Sequence, residues 1–528
     1  MNGRLCSCIS EKSAARFHLT LYLFHQAVGQ SSSMIWIVKR KYNPLRKLQS
    51  MRAYRLCFAV SFVSFIFASA IASHADSPAE YKNASHEPSE QAQTPVQQDS
   101  LSSKLPYWFP KLLGAQFNGV YQYMPDFNSP YQGQNSLSVD NGRGRAFTQA
   151  YGLYLGSQLT SAQMTSSLQA YLDAELFKGD GISDGVGLGG YVNGDVIRAG
   201  SLNLPKDPYI ARAYLKYYYS LSSQTETVER AMGQLPGNVP VSRFEVKIGK
   251  ISPTDDFDVN RYANNNRTQF LNYAFLYNVA WDYASDTRGY SYGFVTALVQ
   301  QQWRLAFGIY MEPYAANGSD FIIDSRQLGY NLELDVKPFH AETVIRLLVY
   351  FNEGRMGDYN DAVELGRQTS TTPSLLNVEK PGGTKYGFGL NVEHPLADDG
   401  ATGIFGRIGW NDGNHETWSY TEADRHVSAG FQLSGVHWGR SEDRLGIAYG
   451  VNGLSSPHKD YLEAGGLGIL LGDGRLNYGL EQIFEVYYLI QLGRYVQITP
   501  DFQFIQNPGY NTDRGPVAVY GLRFRLSY

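Results

Sequence analysis

The chain has 528 residues and a formal net charge of −4 at pH 7, and no basic tract exceeds a few residues, which excludes a nucleic-acid-binding protein. All three cysteines, Cys6, Cys8 and Cys57, lie near the N-terminus, so neither a disulfide framework nor a cysteine metal site can organise the rest of the chain. The 39 tyrosines, 53 glycines and 14% aromatic content suit many strands, tight turns and interfacial aromatics rather than several mixed soluble domains.

Residues 1–50 are basic and carry no fold pattern. They read as an extension from a misplaced start codon, with translation expected at Met51; a long signal extension is the alternative. The apolar run Leu56–Ala72 follows Met51, Arg52 and Arg55 and ends in the small-residue sites Ala70-Ile71-Ala72 and Ser73-His74-Ala75. Residues 51–75 are therefore expected to be a secretory signal peptide, cleaved after Ala72 or Ala75. Residues 76–105 are rich in Gln, Ser, Pro and Glu, the composition of a disordered periplasmic leader.

From Leu112 onward apolar and polar residues alternate, with strands expected to start near residues 112, 147, 163, 209, 241, 289, 302, 325, 340, 384, 401, 424, 442, 481, 494 and 516. Most are ~10 to 13 residues long, enough for a tilted transmembrane strand. The last one alternates without a break: Ala518, Tyr520, Leu522, Phe524, Leu526 and Tyr528 are apolar, with Gly521, Arg523, Arg525 and Ser527 between them. An aromatic at the end of such a strand resembles the insertion signal of bacterial outer-membrane barrels, read by the barrel-assembly machinery.

The connections supply a separate check, because such barrels have short periplasmic turns and long external loops. Counting back from a periplasmic C-terminus, the expected periplasmic turns include residues 492–494, 438–441, 396–400, 338–339, 300–301 and 160–162. The expected external loops cover 124–146, 177–208, 253–288, 312–324, 353–383, 412–423, 453–480 and 508–515, each longer than those turns. Residues 223–240, with Glu226, Glu229 and Arg230, break the rule as a long periplasmic connection.

A soluble β-sandwich also alternates, but its inward faces are apolar. Here Gln497, Thr499, Asp501, Gln503 and Asn507 share one face, and Gln302, Arg304, Tyr310 and Glu312 share another. Polar faces of this kind line water while their apolar partners meet lipid. The fold class is all-β: a sixteen-stranded antiparallel transmembrane β-barrel over residues 106–528.

Three long phrases, Ile345–Val363, Arg444–Tyr488 and Thr499–Tyr528, resemble the carbohydrate-selective porins of the OprB family, and Lys247–Asp258 and Thr268–Asn272 add to the likeness. The resemblance implies an outer-membrane channel of a Gram-negative bacterium for passive diffusion of small sugars, a homotrimer without a cofactor. A general or weakly anion-preferring porin is the alternative. In porins the third external loop folds inward, so residues 253–288 are expected to narrow the channel with Asp255, Asp256, Arg261, Arg267 and Trp281.

A tilted strand climbs about 2.5 Å per residue, so charges several residues inside each end sit near mid-height. Inward-facing candidates there are Arg346, Arg407, Arg212, Glu245, Lys247 and Asp173, whereas Arg304, Arg523 and Arg525 are expected near the periplasmic mouth. Arginine forks and carboxylates would exchange hydrogen bonds with sugar hydroxyls, and Trp281 and Tyr214 would stack on the sugar ring. Enzyme and metal signatures are broken: Asp256–Asn260 begins like a calcium loop, but Arg261 replaces its Gly and Arg267 its final Glu.

Overall fold

The computed structural model describes residues 109–160, 165–196, 207–338 and 342–528. The extension, signal peptide and leader expected over residues 1–105 lie outside the described residues.

Sixteen strands close into one antiparallel barrel. In chain order they are β1 (Leu112–Tyr123), β2 (Arg145–Gln158), β3 (Ser166–Gly179), β4 (Tyr209–Ser220), β7 (Arg243–Ile251), β8 (Ser291–Val299), β9 (Trp303–Met311), β10 (Leu328–Val336), β11 (Val344–Met356), β12 (Lys380–Ala397), β13 (Thr402–Asn411), β14 (Arg425–Ser434), β15 (Arg444–Gly453), β16 (Glu481–Leu492), β17 (Val496–Gln506) and β18 (Val517–Ser527). The long connection over 223–240 holds a separate two-stranded hairpin, β5 (Thr225–Val228) and β6 (Gly237–Pro240). Each barrel strand pairs with its chain neighbour, β4 with β7 across that hairpin, and β1 with β18 closes the ring from Gln116↔Ser527 to Tyr123↔Tyr520.

Strand alternation sets the two faces. On β18, Leu522 and Phe524 are exposed toward lipid while Arg523 between them is buried inside. Exposed aromatics such as Tyr151, Tyr219, Tyr292, Tyr386, Trp438 and Tyr495 stud the outer surface, as interfacial girdles require. None of the helices among the described residues is long and apolar enough to cross a membrane; the strands do so.

One irregularity positions a charge. Asp173 pairs with Arg212 but Ala174 pairs with Ile210, so Ala211 is an extra residue in β4. This bulge lets Ile210 face lipid while Arg212, two residues on, points inward; a regular strand would put both on one face.

The external loops carry short helices: α1 (Tyr273–Leu276), α2 (Tyr359–Thr369) and α3 (Ser456–Glu463). Helices α2 and α3 pack together through Tyr359, whose ring stacks on His458 at 4.4 Å and meets Tyr461 at 5.2 Å. The periplasmic turn between β14 and β15 is longer than expected, because Gly435–Trp438 forms a 3₁₀ turn before the chain reverses.

Candidate functional site

Residues 252–290, the third external loop, turn into the barrel. The turn begins at a capping box in which the Ser252 and Asp255 side chains each serve the other's backbone. Asp258 takes a left-handed conformation with φ 55°, and Asn272 caps α1 by accepting from Ala274 N. Phe257, Tyr262, Phe270, Phe275 and Trp281 are all buried against the wall.

The wall is cut to receive the loop. A Cβ on Gly409 would lie 1.8 Å from Asn278 Oδ1, and one on Gly403 would lie 2.2 Å from the Tyr262 ring, so both positions admit only glycine while the loop is seated. Polar clamps complete the seat. Arg407 Nε lies 3.1 Å from Asp258 Oδ2 and its Nη2 donates to Ala263 O at 2.7 Å. Glu333 accepts from Asp258 N at 2.8 Å, and Glu485 accepts from Leu271 N and Asn272 N. Arg523 Nη1 donates to Asn266 O at 2.7 Å and Gln269 O at 2.8 Å.

Between the leg 255–267 and the facing wall of β3, β4 and β7 lies a row of ion pairs. Arg212 holds Asp255 through two bonds of 2.7 Å and has Asp173 3.6 Å behind it. Burial pushes the Asp255 carboxyl up, but the Arg212 guanidinium outweighs it and holds the group below the usual carboxylate range. Lys247 Nζ lies 2.7 Å from Asp256 Oδ1 and 5.2 Å from the centre of the Tyr214 ring, which stacks on Tyr171 at 4.9 Å. Arg267 bridges Glu175 and Asp195, each at 3.2 Å, and also reaches the Tyr154 hydroxyl. Glu245 accepts from Arg243 at 2.6 Å and has Lys216 at 3.8 Å.

Three placements differ from the sequence reading. Trp281 presents no face to solute: it is 1% exposed, and its Nε1 donates to Asn331 Oδ1 at 3.1 Å. Arg523 lies in the middle of β18 and not at its periplasmic end, whereas Arg304, the second residue of β9, does lie at that end and is reached there by the loop, its Nη2 donating to Asp256 O at 2.9 Å. Tyr214 keeps little free ring, since Tyr171 covers one side and Lys247 approaches the other.

Arg346 and Arg407 do share one row: Arg346 pairs in register with Asn391 on β12, and Asn391 with Arg407 on β13. Arg346 Nη1 lies 3.1 Å from Glu393, which also accepts from Arg261 N at 2.7 Å. The Arg261 side chain is 44% exposed and borders a cavity of about 790 Å³ at the periplasmic end, together with Lys337, Glu342, Asp399 and Arg444. Sequence reasoning overlooked Glu175, Asp195 and Glu393. Glu175 carried a signal, being two residues from Asp173 on the same strand face; Asp195 carried none, since its partner Arg267 is 72 residues away.

A family model described as "Carbohydrate-selective porin, OprB family" matches residues 169–528. No curated protein matches the chain. Among solved structures, the high-pH structure of Pseudomonas putida OprB aligns over 79% of this chain and 94% of that one, at 14% identity and a TM-score of 0.58, and shares the fold. The outer-membrane channel DcaP of Acinetobacter baumannii aligns over 79% and 96% at 10% identity with a TM-score of 0.43. A mutant Rh. blastica porin aligns over 79% and 99% at 9% identity with a TM-score of 0.40. The chain belongs to the OprB family of carbohydrate-selective porins: it is a sixteen-stranded channel of the Gram-negative outer membrane through which small sugars diffuse.

Proposed function

We propose that sugars cross an eyelet between the third external loop and the β3–β4–β7 wall, exchanging hydroxyl hydrogen bonds with Arg212, Asp255, Lys247, Asp256 and Arg267. Tyr214 and Glu245 border the passage, and Arg261 meets the solute at the exit. Asp173, Arg346, Arg407 and Trp281 act behind it by holding loop and wall in place. The observation that carries this reading is the pairing of the eyelet charges: Arg212 with Asp255, Lys247 with Asp256, Arg267 with Glu175 and Asp195. Paired charges give little net field, which disfavours sorting by ion sign, yet they keep donors and acceptors in alternation for an uncharged polyol.

The same reading takes the working assembly to be a homotrimer in outer-membrane lipid, inserted by the barrel-assembly machinery through β18 and Tyr528. Planar-bilayer recordings test the eyelet. A weak reversal potential is expected under a salt gradient, and the double variant Lys247→Gln/Asp256→Asn should weaken sugar block about two- to tenfold, the effect of ~0.5–1.5 kcal/mol per lost bond. Strong anion selectivity with sugar block unchanged would favour the general, anion-preferring porin instead.

A further inference from the structure

The connection between β4 and β7 is not a slack loop. The ladder of these strands runs past the barrel rim: Leu221 N donates to Ser242 O and Val241 N to Gln224 O, both at 2.9 Å. Hairpin β5–β6 then continues from Thr225↔Pro240 to Val228↔Gly237. Its end is a tight turn, with Ala231 and Gln234 exchanging backbone bonds of 3.2 and 3.1 Å and Gly233 supplying the positive φ of 66° at the third position. Arg243 fixes the root, donating to Glu226 at 3.1 Å and Pro240 O at 2.7 Å.

The far end folds back against the barrel instead of standing away from it. Arg230 donates to Leu113 O and has its guanidinium 5.8 Å from the centre of the Tyr528 ring. Leu113 lies on β1, and Tyr528 directly follows β18, so this contact lies at the seam where the barrel closes. Leu235 N donates to the Tyr171 hydroxyl at 3.2 Å, and Leu235 itself is buried. The Tyr214 hydroxyl donates to Gly233 O at 3.5 Å. The hairpin therefore runs from the β4–β7 rim, beneath the inward-facing Tyr171 and Tyr214, to the β1–β18 seam. The open cavity of about 790 Å³ lies on the other side of the mouth, among the turns that follow β8, β10 and β12.

We propose that residues 222–242 form an exit-side filter. The hairpin closes the part of the periplasmic mouth beneath β1–β4, directs solute out beside Arg261, and so limits sugar size separately from the loop above. The Tyr171 hydroxyl, which accepts from Leu235 N, and the Tyr214 hydroxyl, which donates to Gly233 O, belong to the two stacked rings of the wall and join filter to eyelet.

The test compares the full-length channel with a variant in which residues 225–240 are replaced by Asn-Gly, and with Arg230→Ala, which frees the tip and leaves the hairpin in place. Salt conductance without sugar, and liposome swelling with a mono-, a di- and a trisaccharide, are measured on protein that is heat-modifiable on gels. For the shortened variant, conductance should rise and the trisaccharide-to-monosaccharide rate ratio should increase roughly tenfold, equivalent to an exit barrier about 1.4 kcal/mol lower. Arg230→Ala should shift both readouts the same way by less, and it carries the test alone if the shortened chain does not fold. Unchanged conductance and an unchanged ratio in a folded variant overturn the proposal. The proposal uses the sugar-channel reading only in the choice of solutes: failure of wild-type vesicles to swell with any sugar would overturn that reading, while the sugar-free conductance would still report on the filter.

Discussion

Arg407 on β13 and Asp258 in the third external loop form an ion pair closed off from water, with side-chain exposures of 0% and 2%. Removing one partner of such a pair leaves a buried charge uncompensated, at a cost of ~3–5 kcal/mol. Arg407→Ala should therefore unseat the loop while the strand ladder persists. Single-channel records are expected to show a larger and noisier conductance with barrel circular dichroism intact. Wild-type conductance and noise would mean that the loop is held without this pair.

Gly409→Ala should act on the same loop from the other side of the contact. Its Cβ would stand 1.8 Å from Asn278 Oδ1, whereas a Cβ on Gly406 would find only Ser428 O, at 3.6 Å. Overpacking of this kind typically costs ~1–3 kcal/mol. Limited proteolysis of the loop should accelerate in Gly409→Ala and stay at the wild-type rate in Gly406→Ala; equal rates would refute the seat.

Leu522→Arg places a charge on the lipid face of β18 and should lower folding stability by ~2–4 kcal/mol if the site is near the bilayer midplane, less toward the interface. Urea titration in lipid vesicles reads this out, with Arg525→Gln as the inward control. Gly521→Ser, which alternation alone suggests as a mild change, would bring its Cβ to 3.0 Å from Asp501 Cβ, so Asp501 must shift by a few tenths of an ångström to admit it. If Arg525→Gln proved as damaging as Leu522→Arg, the two faces would be reversed.

His458, buried in α3, lies 3.0 Å from Asp424 and 3.7 Å from Glu422. Burial pulls its pKa down, but Asp424 outweighs burial, so the folded value is raised above 6.5. A raised value means that the stabilisation is fully present below the unfolded pKa of ~6.5 and is lost as pH rises through the folded one. Hydrogen exchange over residues 456–463, corrected for its intrinsic pH dependence, should quicken from pH 6 to pH 9. His458→Gln should remove most of that dependence; an equally steep profile in the variant would assign it to another group.

The barrel was legible because alternation is local. Each strand states its own faces, as Leu522, Arg523 and Phe524 do, and turn length separates the two ends. The inward course of the loop was also legible, because residues 253–288 are the third external loop, the one that folds inward in porins. What alternation cannot state is depth. Arg304 lies near the periplasmic end of β9, yet the loop descends to it, a property of its path and not of that strand. Trp281 looked like a platform for sugar because it belongs to a long external loop rich in polar and aromatic groups, but Asn331, fifty residues away, accepts from its Nε1 and its ring is buried in the wall. The bulge at Ala211 leaves no period-2 trace, because Ala211 and Arg212 are both buried inside.

The loop that narrows this channel also spans it mechanically. Arg267 ties it to Glu175 on β3, Arg407 ties it to β13, Glu485 to β16 and Arg523 to β18. A hollow cylinder of sixteen strands can flatten toward an ellipse under lateral pressure from the bilayer, and an ellipse has a different bore. Spokes fixed to the rim in several sectors resist that ovalisation, so the opening keeps its dimensions as the surrounding membrane is stretched or compressed.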